Sequence, residues 1–132
     1  MITPAEITSG LVLHLDPDVL EQRGGTYECP PSFRVQNGHF FLCLDATKTE
    51  GRWLPLYTKD GKGRVEISRI GRTGHEKWTG GTFFYHEDQV WTAPHGAVVA
   101  SADAGTDLSR KGQRNLLTKT RIPAIQLRKP AK

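Results

Sequence analysis

FRVQNGHFFLCL, residues 33–44, is the stretch whose reading decides the fold class. Strand-like runs flank Asn37-Gly38 on both sides. That dipeptide accepts the positive φ angles of a tight hairpin turn, so the stretch predicts two strands joined back to back. Its second half, HFFLCL, is apolar enough to be a buried strand.

The same signal repeats outward in both directions. GLVLHL (10–15) reads as a strand stopped by Asp16-Pro17. RWLPLYT (52–58) reads as another, with Pro55 marking an edge or a bulge because proline cannot donate a ladder hydrogen bond. After the turn residues Asp60-Gly61-Lys62-Gly63, RVEISRI (64–70) alternates as a half-buried strand does. TFFYHEDQVWT (82–92) predicts a short hairpin turning at His86-Glu87-Asp88, and GAVVAS (96–101) one more strand. Helix signals are brief: DPDVLEQ (16–22) has Asp ahead of a proline, and DLSRKGQRNLL (107–117) has room for a helical turn or two around Gly112. The expectation is an all-β chain, a small strongly bent sheet or SH3-like barrel with short helical turns.

The 132 residues suit one domain. No apolar run approaches the roughly 18 residues of a membrane span, and MITPAEITSG lacks the pattern of a secretory signal. Two cysteines, Cys29 and Cys43, leave a disulfide open, but a reducing cytoplasm is the simpler expectation. Charge is unevenly spread. Residues 1–107, read as the barrel-like domain, hold 10 basic and 14 acidic residues; 108–132 hold 8 basic and none acidic. This basic C-terminal segment, packed on the domain or extending from it, offers Arg110, Lys111 and Arg114 to nucleic acid. A solubilising terminus explains the same charge.

The histidines, His14, His39, His75, His86 and His95, form no HxH or HExxH pair, and no CxxC is present, so no metal and no cofactor is expected. No serine lies in a GxSxG elbow. RIGRTGHEKWTGG (69–81) carries the phosphate reading. Arg69, Arg72 and Lys77 supply cations, and glycines let backbone N–H groups approach an anion. Trp78 offers a flat face to a base, and His75 a proton carrier. This combination points to single-stranded RNA. The competing reading is a surface loop whose Trp78 folds back as a plug. Trp53, Trp91, Tyr57 and Tyr85 read as core, and His86-Glu87-Asp88 as a solvated turn.

SGLVLHLDP, HFFLCLD and WLPLYTK, in that order, resemble the opening strands of the PemK/MazF-like toxins. The resemblance covers residues 9–59 and is one of residue type and order. It implies a dimerising SH3-like barrel that cleaves single-stranded RNA without metal and is held by an antitoxin-like protein. The family's threonine falls on Thr58. The family's arginine at the head of the second strand has no match, since Gly38 and His39 stand there; Arg34, across the turn, substitutes for it or cleavage is lost. The resulting catalytic candidates are Arg34, His39, Thr58 and His75. Two alternatives remain open, a non-catalytic nucleic-acid-binding barrel and a protein-binding or accessory module.

Overall fold

The computed structural model describes residues 2–104 and 113–125. Nine strands and three α-helices follow one another among them: β1 (Leu11–Leu15), α1 (Pro17–Gln22), β2 (Thr26–Tyr27), β3 (His39–Ala46), β4 (Glu50–Pro55), β5 (Arg64–Glu66), β6 (Arg72–Thr73), α2 (Glu76–Thr79), β7 (Phe84–His86), β8 (Trp91–Pro94), α3 (His95–Ala104) and β9 (Asn115–Leu117). Every pairing is antiparallel. Seven strands make one sheet in the order β2-β8-β4-β3-β1-β9-β6, and β5 with β7 makes a second. The main sheet ends at β2 and β6 without closing, so the expected barrel is, among the described residues, an open sheet with a small second one beside it.

β3 is the spine, as its apolar run predicts. It pairs with β1 on one side and β4 on the other, with a bulge between Cys43 and Asp45. Its turn is another matter. Asn37 does take a positive φ of 62°, yet residues 34–37 form no strand. Phe33 ends a 3-10 turn (Pro31–Phe33), and β3 finds its partners elsewhere. Pro55 is the last residue of β4, beyond the part of that strand that pairs with β8, so its missing N–H costs no ladder bond there.

One face of the sheet packs Leu13, Leu15, Phe41, Trp53 and Trp91 beneath α3 and its Val98. Each aromatic ring so buried contributes roughly 2–3 kcal/mol. α3 corrects the expected strand at 96–101. A short apolar run such as residues 97–100 cannot be told from a buried helix by its pattern, and this one follows β8 directly. Ser101 locks it to α1, exchanging hydrogen bonds of 2.7 Å with both backbone groups of Asp16. Asp16 also caps α1 through Asp18 N–H at 2.9 Å.

The hairpin expected over 82–92 is also corrected. A turn exists, with Gln89 N–H bonded to His86 O at 3.0 Å, but β7 joins β5 while β8 joins β4 and β2. The helical turn expected around Gly112 falls on residues 107–112, outside the described residues; residues 115–117 are strand β9, between β1 and β6. Gly10 permits this contact: at φ 93°, a Cβ there would sit 2.2 Å from Leu117 O. Arg110 and Lys111 lie outside the described residues. Both cysteines are free and buried; burial, with the charge of Asp45 adding to it, pushes the Cys43 thiol up to about 12. No helix among the described residues is long and apolar enough to cross a membrane.

Candidate functional site

The loop 69–81 is built inward. Arg72 donates to four backbone carbonyls, those of Ser68 (2.9 Å), Trp78 (2.9 Å), Gly81 (2.6 Å) and Ile67 (3.2 Å). Its guanidinium also lies 4.5 Å from the Trp78 ring centroid and 5.3 Å from that of Phe83. Burial, reinforced by nearby Arg69, holds its pKa below the usual arginine value. Trp78 is fully buried on α2 and donates Nε1–H to Leu116 O at 3.1 Å. The indole has no face for a base, and the guanidinium spends four of its five N–H donors on the loop itself. The plug reading of Trp78 is the correct one.

The other candidates from this loop are dispersed. Arg69 is exposed, pairs with Glu66 at 3.2 Å and donates to Thr82. Lys77 is exposed. His75 is exposed and caps α2, its Nδ1 accepting from Lys77 N–H at 3.0 Å. Arg114 is buried against Glu6, with Nε 3.0 Å from Oε1; it ties the C-terminal segment to the N-terminal turn instead of facing a phosphate. Arg34 is also committed. It holds Asp18 at 2.7 Å and Glu21 at 2.8 Å, and stacks 5.6 Å from the Trp91 centroid.

His39 leads to a different constellation. It opens β3, and its ring meets that of Tyr57 edge-on at 5.4 Å between centroids. Tyr57 lies just past β4 and bridges to Phe84 in β7, which brings the two sheets together here. Over the Tyr57 ring, at 3.8 Å, sits the Arg64 guanidinium. Arg64 is the direct cross-strand partner of His86. Directly opposed residues share a face of the sheet, with Cβ atoms about 5 Å apart. His39, Tyr57, Arg64 and His86 thus form one ladder across the junction of the two sheets.

Hydrogen bonds set the state of each rung. His39 Nδ1 lies 3.0 Å from Leu56 O, which only accepts, so in the neutral ring Nδ1 carries the proton and Nε2 the lone pair. His86 is the reverse. Its Nδ1 accepts from Asp88 N–H at 3.1 Å, so Nε2 carries the proton. The His86 ring rests on Gly63, where a Cβ would come within 2.6 Å of Nε2; φ there is 75°. Tyr57 donates its hydroxyl to Gln89, and burial raises its pKa, so it is a neutral phenol. Arg64 gives one N–H to Lys59 O at 2.9 Å, and among the described residues no carboxylate lies within ion-pair distance of it. Lys59 and Lys62 are exposed in the adjoining turn, with Asp60 between them. Thr58, the threonine of the resemblance, is exposed immediately after Tyr57.

Of the four catalytic candidates, His39 and Thr58 are at this ladder, while Arg34 and His75 are held by other partners. Tyr57, Arg64, His86 and Gln89 are not marked as site residues by the sequence. Arg64 and His86 lie on two short strands twenty residues apart, and nothing in either names the other as its partner. Among the described residues no group of three or more metal-ligating side chains converges. No family model, curated protein or solved structure matches this chain.

Proposed function

We propose that the protein binds single-stranded RNA at the His39–Tyr57–Arg64–His86 ladder and cleaves it there without a metal ion. One observation carries the reading. Among the described residues, an arginine with no carboxylate at ion-pair distance lies over the Tyr57 ring, which His39 meets edge-on, and faces His86 across two paired strands.

That arrangement suits an internal transphosphorylation. His39 Nε2 takes the proton of a ribose 2′-hydroxyl, and the 2′-oxygen attacks the adjacent phosphorus. Arg64 and His86 Nε2–H hold the non-bridging oxygens as negative charge builds on them. The bond to the 5′-oxygen breaks, that oxygen takes a proton from water, and His39 returns its proton to solvent. The products are a 2′,3′-cyclic phosphate and a free 5′-hydroxyl. DNA, lacking the 2′-hydroxyl, binds but is not cut. Thr58 stands beside the ladder as a further contact to the phosphate. The antitoxin-like protein and the homodimer implied by the resemblance belong to this same reading.

The test is incubation of purified protein with single-stranded RNA in excess chelator. Wild type should yield cyclic-phosphate ends, and His39→Ala should lose about 100-fold or more in rate, the usual scale for a general base. RNA left intact by wild type would refute cleavage, and binding without cleavage would reduce the protein to a nucleic-acid-binding module. A rate unchanged in His39→Ala would remove the assigned base.

A further inference from the structure

Gln89 is tied to two rungs of the ladder. Its side-chain Oε1 accepts from the Tyr57 hydroxyl, and its backbone N–H donates to His86 O at 3.0 Å. The next residue, Val90, is buried, and its carbonyl accepts from Glu28 N–H at 3.2 Å. Backbone and amide oxygen are therefore both held. Gln89 itself is half-buried. Among the described residues no group accepts from its Nε2, and that nitrogen is not sealed from solvent. Its two N–H donors remain to act.

The same contacts set its reach from the cation. The Arg64 guanidinium lies 3.8 Å from the Tyr57 ring centroid, and the Gln89 amide is bonded to that ring's hydroxyl. Guanidinium and amide are thus one phenol apart. In a nucleotide a single sugar ring likewise separates phosphate from base, so a phosphate at Arg64 brings a base to Gln89.

The bond to Tyr57 also bears on which base is read. A glutamine with both ends open reads adenine, accepting from N6 while donating to N7. In Gln89 the phenol already occupies one lone pair of the oxygen and polarises the amide, which weakens it as an acceptor and strengthens its N–H groups as donors. Two donors are best met by two adjacent acceptors. Of the two purines, guanine offers such a pair, O6 and N7, where adenine sets its N6 hydrogens beside N7. Unpaired RNA leaves that edge open.

We infer that Gln89 is a base-reading residue of this site, donating to O6 and N7 of a guanine next to the phosphate at Arg64 and preferring it to adenine. The inference rests on the RNA reading above.

The experiment uses DNA oligonucleotides carrying a single ribonucleotide, so that only one phosphate has a 2′-hydroxyl beside it. The bases on either side of that phosphate are varied in turn, in excess chelator. With wild type, guanine at one of the two positions should be cut about tenfold faster than adenine, the scale of one hydrogen bond to an otherwise unpaired donor. Inosine there, which keeps O6 and N7, should match guanine, and 7-deazaguanine, with carbon in place of N7, should fall toward adenine. Gln89→Glu keeps the bond from Tyr57 but replaces both donors by an acceptor, so its guanine-to-adenine ratio should invert, whatever the added charge does to the rates themselves. Gln89→Leu should bring the ratio to one. Equal cleavage of guanine and adenine substrates by wild type would overturn the inference and leave the RNA reading intact. A guanine preference that survives in Gln89→Glu and Gln89→Leu would assign the base to another residue and overturn it as well. Absence of cleavage of every substrate by wild type would overturn the RNA reading, and this inference with it.

Discussion

Arg72→Ala separates the two readings of the glycine-rich loop most sharply. If Arg72 were a phosphate ligand, the variant would fold normally and bind RNA poorly. The geometry requires the opposite. Four carbonyls, of Ser68, Ile67, Trp78 and Gly81, lose their shared donor, and the Trp78 and Phe83 rings lose the cation stacked on them. A hydrogen bond from a charged donor contributes about 1.5–3 kcal/mol. Water entering the gap satisfies part of the loss, so the net cost should be about 3 kcal/mol. For a chain of this size that corresponds to a fall of roughly 10 °C in Tm. Arg72→Lys should recover little, since a single ammonium cannot span four carbonyls arranged around a planar fork. Urea and thermal unfolding, followed by near-ultraviolet circular dichroism of the buried Trp78, give the measurement. An Arg72→Ala protein within about 0.5 kcal/mol of wild type, with RNA affinity abolished, would refute the structural role and restore the loop as a phosphate site.

Two further outcomes follow from the same kind of accounting. Glu6 receives two hydrogen bonds from Arg114 and one of 2.8 Å from Thr3 N–H, and the bond from Arg114, ahead of opposing desolvation, holds its pKa below the ordinary value. A depressed carboxylate pKa adds stability above the ordinary carboxylate range and loses it as pH falls through the folded-state value. Glu6→Gln should therefore cost about 2 kcal/mol near pH 7, with the difference from wild type shrinking in strongly acidic urea titrations; an equal difference at both pH values would count against the pair. Gly63→Ala places a methyl 2.6 Å from His86 Nε2 at φ 75°. It should cost about 1–2 kcal/mol in stability and shift the His86 ring signals in NMR, with slower RNA cleavage; unchanged ring signals would show that His86 does not depend on this glycine.

The fold is legible where a strand carries its own signal. HFFLCL forms the spine β3, GLVLHL forms β1, and Asp16-Pro17 opens a capped helix, because alternation and caps are local properties. Residues 96–101 mislead because a short apolar run looks the same in a buried strand and a buried helix. The open sheet is beyond reach, since whether β2 and β6 meet depends on twist and not on composition. The site is half legible. His39 can be named from its residue type and position, but its neighbours cannot. Arg64 and His86 meet only because β5 pairs with β7, and Tyr57 only because one bridge to Phe84 joins the sheets. Arg72 and Trp78 show the converse error. An arginine and a tryptophan among glycines match a ligand loop and a self-bound loop equally well, and the four carbonyls decide between them.

The histidines show why the ladder, and not the basic loop, is the place to look for chemistry. His39, His75, His86 and His95 each use one ring nitrogen on the backbone. His75 and His86 accept from N–H groups two residues ahead, and His39 and His95 donate to carbonyls. Each contact fixes a tautomer and leaves one nitrogen to act. For His95 that nitrogen is buried with no partner, inaccessible to a large substrate. For His75 the residue is exposed, but in a loop whose Arg72 is already bonded to four carbonyls. His39 and His86 instead stand along one ladder, one with an acceptor to offer and one with a donor, and with a guanidinium between them. A phosphodiester needs an acceptor for its 2′-proton and donors for its oxygens at the same moment. On the proposed reading, the backbone contacts of His39 and His86 set the acceptor and the donor before any substrate arrives.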